Sequence, residues 1–413
     1  MDNSLIIKRV CAIDKRFDLK KGAGSDSVNT TPQYAYAVCS LISDSGLRGT
    51  GLSFTLGKGN DLVCKAIEYL APFIEGKEIE ELMADFGNTF NQMANAPNLR
   101  WLGPHKGIVH LALASVTNAC FDLWAKNRSL PLWKLMLDLS PEELVNTLDL
   151  SYLEEILPRE EAVGMLVQEK SSRKNRMNIL THGYKGYDTS VGWFNYLDHQ
   201  LRDNVKQAIE NGFTAVKLKV GSQDKLRDIK RANIVRETAG PDVRVMLDAN
   251  QQWNLPQAIE ICRELSKIDP YWVEEPTHPD DISGHKTLAD KIHPVKLAIG
   301  EHVPNRIVFK NFLLSGSVSF NQVDTVRVGG ISEFITISLL SKKLGVPVVP
   351  HVGDMGQIHQ HLVLFNHIAM DHEALFLEYI PHLKEYFRFP VQVNDGHYRV
   401  PEEPGISADF KEE

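Results

Sequence analysis

From Tyr184 onward the chain alternates between two patterns. Short runs rich in apolar and β-branched residues occupy 186–190, 214–220, 243–248, 271–274, 296–301, 320–327, 346–351 and 374–378. Most are separated by segments with apolar positions at helical spacing, such as 201–211, 225–239 and 256–268. Eight strand–helix alternations predict a parallel (β/α)8 TIM-like barrel over 184–388, class α/β. A doubly wound open sheet would carry a glycine phosphate fingerprint after its first strand, and none stands there.

The first 150 residues read differently. Ile6-Ile7 and the run 34–42 are strand-like, with Ser43-Asp44-Ser45-Gly46 as a turn between strands. The pattern turns helical from 61 to 138, and Ile108, Leu111, Ala112, Ser115, Ala119 and Leu123 mark one face of a helix at 107–126. An α+β capping domain over 1–150 follows. A helical connector spans 151–183, and the tail 389–413 reads as strand and coil returning to the N-terminal domain. Lys21-Gly22-Ala23-Gly24-Ser25-Asp26 is glycine-rich but too short for a phosphate cradle.

The 413 residues suit two domains, and 43% hydrophobic with 24% charged is ordinary globular composition. A net charge of -8 argues against a nucleic-acid partner. No apolar run looks long enough for a membrane span, and the N-terminus lacks signal-peptide character. Cys11, Cys39, Cys64, Cys120 and Cys262 are scattered, which predicts reduced thiols and a cytoplasmic protein.

The chemistry sits at strand ends. In Val216-Lys217-Leu218-Lys219-Val220, positions i and i+2 share a face, so Lys217 and Lys219 project together. Alone, that reads as an exposed edge strand. Inside a barrel, two ammonium groups repel and one becomes a base near neutral pH. The next strands end in Asp248, Glu274 and Glu301, spaced by 26 (248 to 274) and 27 (274 to 301) residues. One strand–helix unit apart, the three acids are expected at one level of the C-terminal mouth. Converging carboxylates need a cation, and hard oxygen ligands suit Mg2+ better than zinc. Asp324 and His351 continue the rhythm as neighbours, and an Asp on one ring nitrogen fixes the tautomer of a His and raises its pKa. His359, His361, His367 and His372 show no ligand pattern. A cation on a substrate carboxylate stabilises the charge left when the α-proton departs, and a poised base removes that proton.

Lys217-Leu218-Lys219, Asp248-Ala249-Asn250, Glu274-Glu275-Pro276, Gly300-Glu301, Asp324 and Pro350-His351 resemble the mandelate-racemase subgroup of the enolase superfamily, which pairs Lys or His bases with Mg2+. The resemblance extends over nearly the whole chain to the L-fuconate dehydratase family. It is carried also by Gly24-Ser25-Asp26, Leu99-Arg100-Trp101-Leu102-Gly103-Pro104, Thr189-Ser190-x-Gly192-Trp193 and Glu378-Tyr379-Ile380-x-His382-Leu383. It implies a cap closing over the barrel, and Mg2+ at Asp248, Glu274 and Glu301. It implies Lys219 and His351 as acid/base groups, with Lys217 and Glu378 on the substrate carboxylate and enediolate oxygen. Asp26, Trp101 and Asn250 are the further substrate contacts it implies.

Three departures lie near the mouth. The loop Val352-Gly353-Asp354-Met355-Gly356-Gln357-Ile358-His359 carries an acid where the family has a longer loop with two adjacent glycines. Asp188 stands where threonine is usual, and the segment before Glu378 is short. The expected function is Mg2+-dependent dehydration of a small sugar acid by a homo-oligomer, with no nucleic-acid or membrane partner. A racemase or epimerase is the same-fold rival, and a non-catalytic scaffold the rival of another class.

Overall fold

The computed structural model describes residues 4–373 and 376–411. Three antiparallel strands, β1 (Ile7–Phe17), β2 (Tyr34–Ser43) and β3 (Arg48–Thr55), form the N-terminal sheet. The helix Gly107–Asn127 packs on it. Its backbone comes so close that a Cβ on Gly51 would lie 2.0 Å from the Ser115 carbonyl, so only glycine fits there. Ser115 is no apolar contact: its hydroxyl donates to the carbonyls of Ala37 (2.8 Å) and Gly51 (3.0 Å). This helix is long and apolar enough to span a bilayer, with a mean hydropathy of 1.3, which the sequence reading overlooked. Its most apolar 18-residue window is 89% buried inside the protein, as a core helix is.

The barrel strands follow as β4 (Tyr184–Gly192), β5 (Ala215–Lys219), β6 (Arg244–Asp248), β7 (Trp272–Glu274), β8 (Leu297–Ile299), β9 (Phe320–Asn321) and β10 (Leu377–Tyr379). Neighbours pair in parallel from β4 to β9, and β10 pairs back onto β4. The expected strand at 346–351 is reduced to a bridge, Asn321 with Val348. Pro347 and Pro350 flank that bridge, and a proline cannot donate to a ladder. The expected run 374–378 begins on Ala374 and Leu375, which lie outside the described residues. A hairpin of β11 (Val393–Asn394) and β12 (His397–Tyr398) adds antiparallel to β4. The tail touches the cap as well: Thr50 donates to Asp409 at 2.7 Å.

The barrel interior is layered, as close packing of alternating strands requires. Tyr187, Ala215, Met246, Trp272, Ala298, Phe320, Val349 and Phe376 form one buried apolar cluster. Two residues further along each chain segment stand Thr189, Lys217, Asp248, Glu274, Gly300, Gln322, His351 and Glu378. Period-two alternation therefore lifts the polar set onto an apolar floor. Beside the barrel, Arg306 is fully buried between Asp149 (2.6 Å) and Glu333 (3.0 Å), and Glu333 also meets His110 at 2.6 Å. This ionic seam ties the cap to the barrel.

Candidate active site

Asp248 and Glu274 are direct register partners on β6 and β7. Glu301 is not at their level: Glu274 pairs with Ala298, and Glu301 lies past β8, beyond Gly300. Asp324 likewise follows the end of β9 rather than ending it. The acids still converge, since ligand oxygens of Asp248, Glu274 and Glu301 all lie within 4.8 Å of one another.

The two lysines do not share one environment. Lys217 is fully buried and reaches Glu378 at 2.7 Å, Glu274 at 2.9 Å and Asp248 at 3.6 Å. Lys219, at the mouth, pairs with Asp248. At the other end of the triad, His351 Nε2 lies 3.4 Å from Glu301, and its Nδ1 meets Asp324 Oδ2 at 2.7 Å. Glu378 accepts from Thr189 Oγ1 (2.5 Å) and the Val352 amide (3.2 Å), 3.9 Å from His351.

Charge states follow from these contacts. Burial and then the Asp248 charge push the Glu274 carboxyl up to about 7. Burial acts the same way on Asp248, but Lys219 and Lys217 outweigh it and hold the group below its usual range. Burial pulls His351 down, while Glu301, Glu378 and Asp324 raise it to about 9, so the ring is a cation near neutral pH. Lys219 departs from expectation. Burial, the largest influence, and Lys217 lower it, but Asp248, Glu301 and Glu274 together outweigh them and hold the ammonium above its ordinary value. The reason is direct contact between the ammonium and the Asp248 carboxylate.

Glu301 Oε2 is buried without a hydrogen-bond partner. A clustered set of carboxylate oxygens with one uncommitted atom fits a hard divalent cation. Glu275, Glu301 and His302 form an overlapping cluster, but Glu275 and His302 already bond each other at 3.0 Å.

A narrow cavity opens on the triad. Lys219, Glu301, His351, Asn250, Thr189, Trp193 and Glu378 line it from the barrel, and Gly24, Asp26, Tyr34, Phe54 and Leu56 from the cap. Asn250, held at φ 45, lines it, and its Oδ1 is buried without a hydrogen-bond partner. Asp26 is raised, first by burial, and its carboxylate accepts the amides of Val28 (2.7 Å) and Asn29 (2.6 Å). The cap loop is fastened to the barrel. Ser25 O accepts from the Phe194 amide (2.9 Å) and Ser25 Oγ from the Asn195 amide (3.0 Å). Ser27 Oγ donates to Ala249 O (3.3 Å), and Asn195 Nδ2 to Thr30 O (2.7 Å).

Trp101 is not brought here. It is 92% exposed and absent from the cavity lining. Asp188 also turns away, bonding Ser190 N at 2.8 Å and its hydroxyl at 2.6 Å. Gln322, which the sequence reading passed over, donates to Glu274 Oε2 at 2.9 Å. Its place two residues before Asp324 was the available signal. Thr189 and Trp193 were quoted only as motif letters. Trp193 lies 5.8 Å from the Lys219 ammonium.

Residues 200–413 match the family described as enolase C-terminal domain-like. Human mitochondrial enolase superfamily member 1 is 39% identical over 417 residues, covering 98% of this chain and 94% of that one. The chain belongs to the enolase superfamily. The crystal structure of that human protein superposes with a TM-score of 0.95 at 38% identity, covering 99% of this chain and 95% of that one. The superfamily architecture, an N-terminal cap on a C-terminal barrel, is therefore this chain's fold. L-galactonate dehydratase of Hypocrea jecorina is 38% identical over 398 residues, 94% of this chain and 88% of that one. L-talarate/galactarate dehydratase from Salmonella typhimurium, liganded with Mg and L-lyxarohydroxamate, shares the fold at a TM-score of 0.78 and 24% identity, covering 99% of this chain and 91% of that one. Among its superfamily relatives this enzyme thus stands beside dehydratases of acid sugars.

Proposed function

We propose that this enolase-superfamily chain is a Mg2+-dependent hydro-lyase for a monocarboxylic sugar acid of the L-fuconate type. One observation carries the reading: Lys219 and His351 face one cavity from opposite ends of the carboxylate triad, on Asp248 and Glu301 respectively. Asp248, Glu274 and Glu301 would hold the cation, which supplies charge stabilisation for the substrate carboxylate as its α-proton leaves. Lys219 in its neutral form takes the proton from C2, and Asp248, drawn from the ammonium by a divalent cation, would favour that neutral amine. Cationic His351, steadied by Asp324, gives its Nε2 proton to the 3-hydroxyl, which departs as water. Lys217 and Glu378 hold the substrate's carboxylate end. The enol that remains tautomerises to a 2-keto-3-deoxy acid. Asp26 and Asn250 bind substrate hydroxyls.

The lining favours a single carboxylate. Among the described residues its cationic groups are Lys219 and His351, both engaged in proton transfer. The remaining wall carries Tyr34, Phe54, Leu56, Met355, Ile380 and the acid Asp26. Among the described residues a second carboxylate would find no free cation there, whereas a methyl terminus packs against apolar carbon.

The test is a panel of L-fuconate, L-galactonate, D-arabinonate and galactarate with Mg2+, with 2-keto product trapped by semicarbazide. A monocarboxylate should give keto acid, with L-fuconate foremost. A C2 epimer without keto product would establish the racemase reading instead, and preference for galactarate would refute the single-carboxylate argument.

A further inference from the structure

The loop after His351 holds a second histidine–carboxylate pair directly behind the first. His359, fully buried, donates or accepts at both ring nitrogens. Its Nδ1 meets Asp354 Oδ1 at 2.6 Å, and its Nε2 lies 2.9 Å from the Thr325 amide and 3.3 Å from Asp324 Oδ1. Asp354 is fully buried too. Besides His359, it accepts the amides of Gly356 (2.9 Å) and Ile358, and that of His359 itself at 3.2 Å. Two flanking carboxylates favour a cationic ring, but an amide N–H aimed at Nε2 requires a lone pair there. The shorter contact decides for a neutral ring with its proton on Nδ1.

Asp324 is the residue this arrangement serves. Its Oδ2 holds His351 at 2.7 Å and the Gly353 amide at 2.9 Å, and its Oδ1 takes the Val326 amide at 2.9 Å. His359 therefore pins the backbone at Thr325, one residue from Asp324, and packs beside the Oδ1 that accepts the Val326 amide.

We propose that Asp354 and His359 are positioning residues that hold Asp324, and through it the proton donor His351, in the geometry for hydroxyl departure. The inference rests on the dehydratase reading for its kinetic effect, but its structural content stands apart. Partners that orient a reacting or ligating group from behind are typically worth about 10- to 100-fold.

The experiment compares Asp354→Asn and His359→Asn with wild type, Mg2+-loaded, on the best acid sugar of the panel. Dehydration kcat should fall about 10- to 100-fold, with KM little changed and C2 hydrogen exchange in D2O retained, because Lys219 is untouched. In an Asp324→Asn background, removing His359 should cost nothing further. Equal loss of exchange and dehydration, or full additivity with Asp324→Asn, would overturn the proposal. Imidazole NMR of the substrate-free, Mg2+-loaded protein gives a readout independent of turnover. Wild type should show His359 protonated at Nδ1 and a slowly exchanging His351 Nδ1–H. That signal should be lost in Asp354→Asn. An unchanged His351 signal in both variants sinks the positioning role whatever the kinetics. A lost signal in a protein that dehydrates no acid sugar supports positioning and overturns the assigned reaction instead.

Discussion

Glu274→Gln separates metal binding from folding. In the protein without cation, Glu274 is fully buried with its carboxyl at about 7, raised by burial and by Asp248. A carboxyl raised in the folded state binds more protons folded than unfolded between its ordinary value and about 7. Stability therefore falls as pH rises through that window, by on the order of 3 kcal/mol. Glutamine is neutral throughout, keeps the volume, and can still accept from Lys217. Lys217 also retains Glu378 at 2.7 Å. The variant in chelator should thus be no less stable than wild type at pH 8, and its stability should fall less between pH 5 and 8.

Metal reverses the order. Ligand at 100-fold its Kd stabilises by about 2.7 kcal/mol. Unfolding entropy of about 2.1 cal/mol/K per residue gives roughly 0.9 kcal/mol/K for 413 residues. Saturating Mg2+ should then raise the wild-type Tm by about 3 °C, and Glu274→Gln should lose most of that rise together with turnover. Differential scanning fluorimetry across a Mg2+ titration measures both. An equal Mg2+-dependent rise in variant and wild type, or full activity in excess chelator, would refute the triad.

Lys219→Ala should stop both C2 exchange and dehydration, each by about 10²- to 10⁴-fold, whereas His351→Asn should stop dehydration and spare exchange. The opposite pattern, read by deuterium incorporation, reverses the two roles. Measured as a pH–rate profile, turnover should fall on the alkaline side as His351, a group raised to about 9, loses its proton. Asp26→Ala should raise KM and reorder the substrate ranking, with dicarboxylates gaining, and an unchanged ranking across the panel would exclude Asp26 from the pocket. Gly353→Ala places a Cβ 2.9 Å from Val326 Cγ2 and 3.0 Å from Asp324 Oδ2, so it should depress kcat more than KM in steady-state kinetics.

The barrel and its polar mouth were legible because strand alternation repeats and chemistry recurs once per unit. Asp248, Glu274, Lys217 and Lys219 could be placed from spacing alone. Spacing could not show that Glu301 and Asp324 stand on the turns beyond their strands, since a loop residue reaches inward without obeying the ladder. The pairing of Lys219 with Asp248 was not legible, because it is a matter of side-chain direction, which no sequence pattern encodes. His359 escaped for the same reason: its partners Asp324 and Asp354 approach from two different loops. Trp101 was placed at the substrate by motif resemblance, and its neighbours in the fold leave it at the surface.

The fastening of the cap loop has an evolutionary consequence. Of the four hydrogen bonds that join residues 25–30 to the barrel, three end on barrel backbone atoms, at Phe194, Asn195 and Ala249. Main-chain atoms survive any replacement other than proline at the two donating positions. Side chains around the mouth are consequently free to drift toward new sugar acids while the lid continues to shut. Substrate range and closure are separable traits in this architecture, and a designer can vary the first without rebuilding the second.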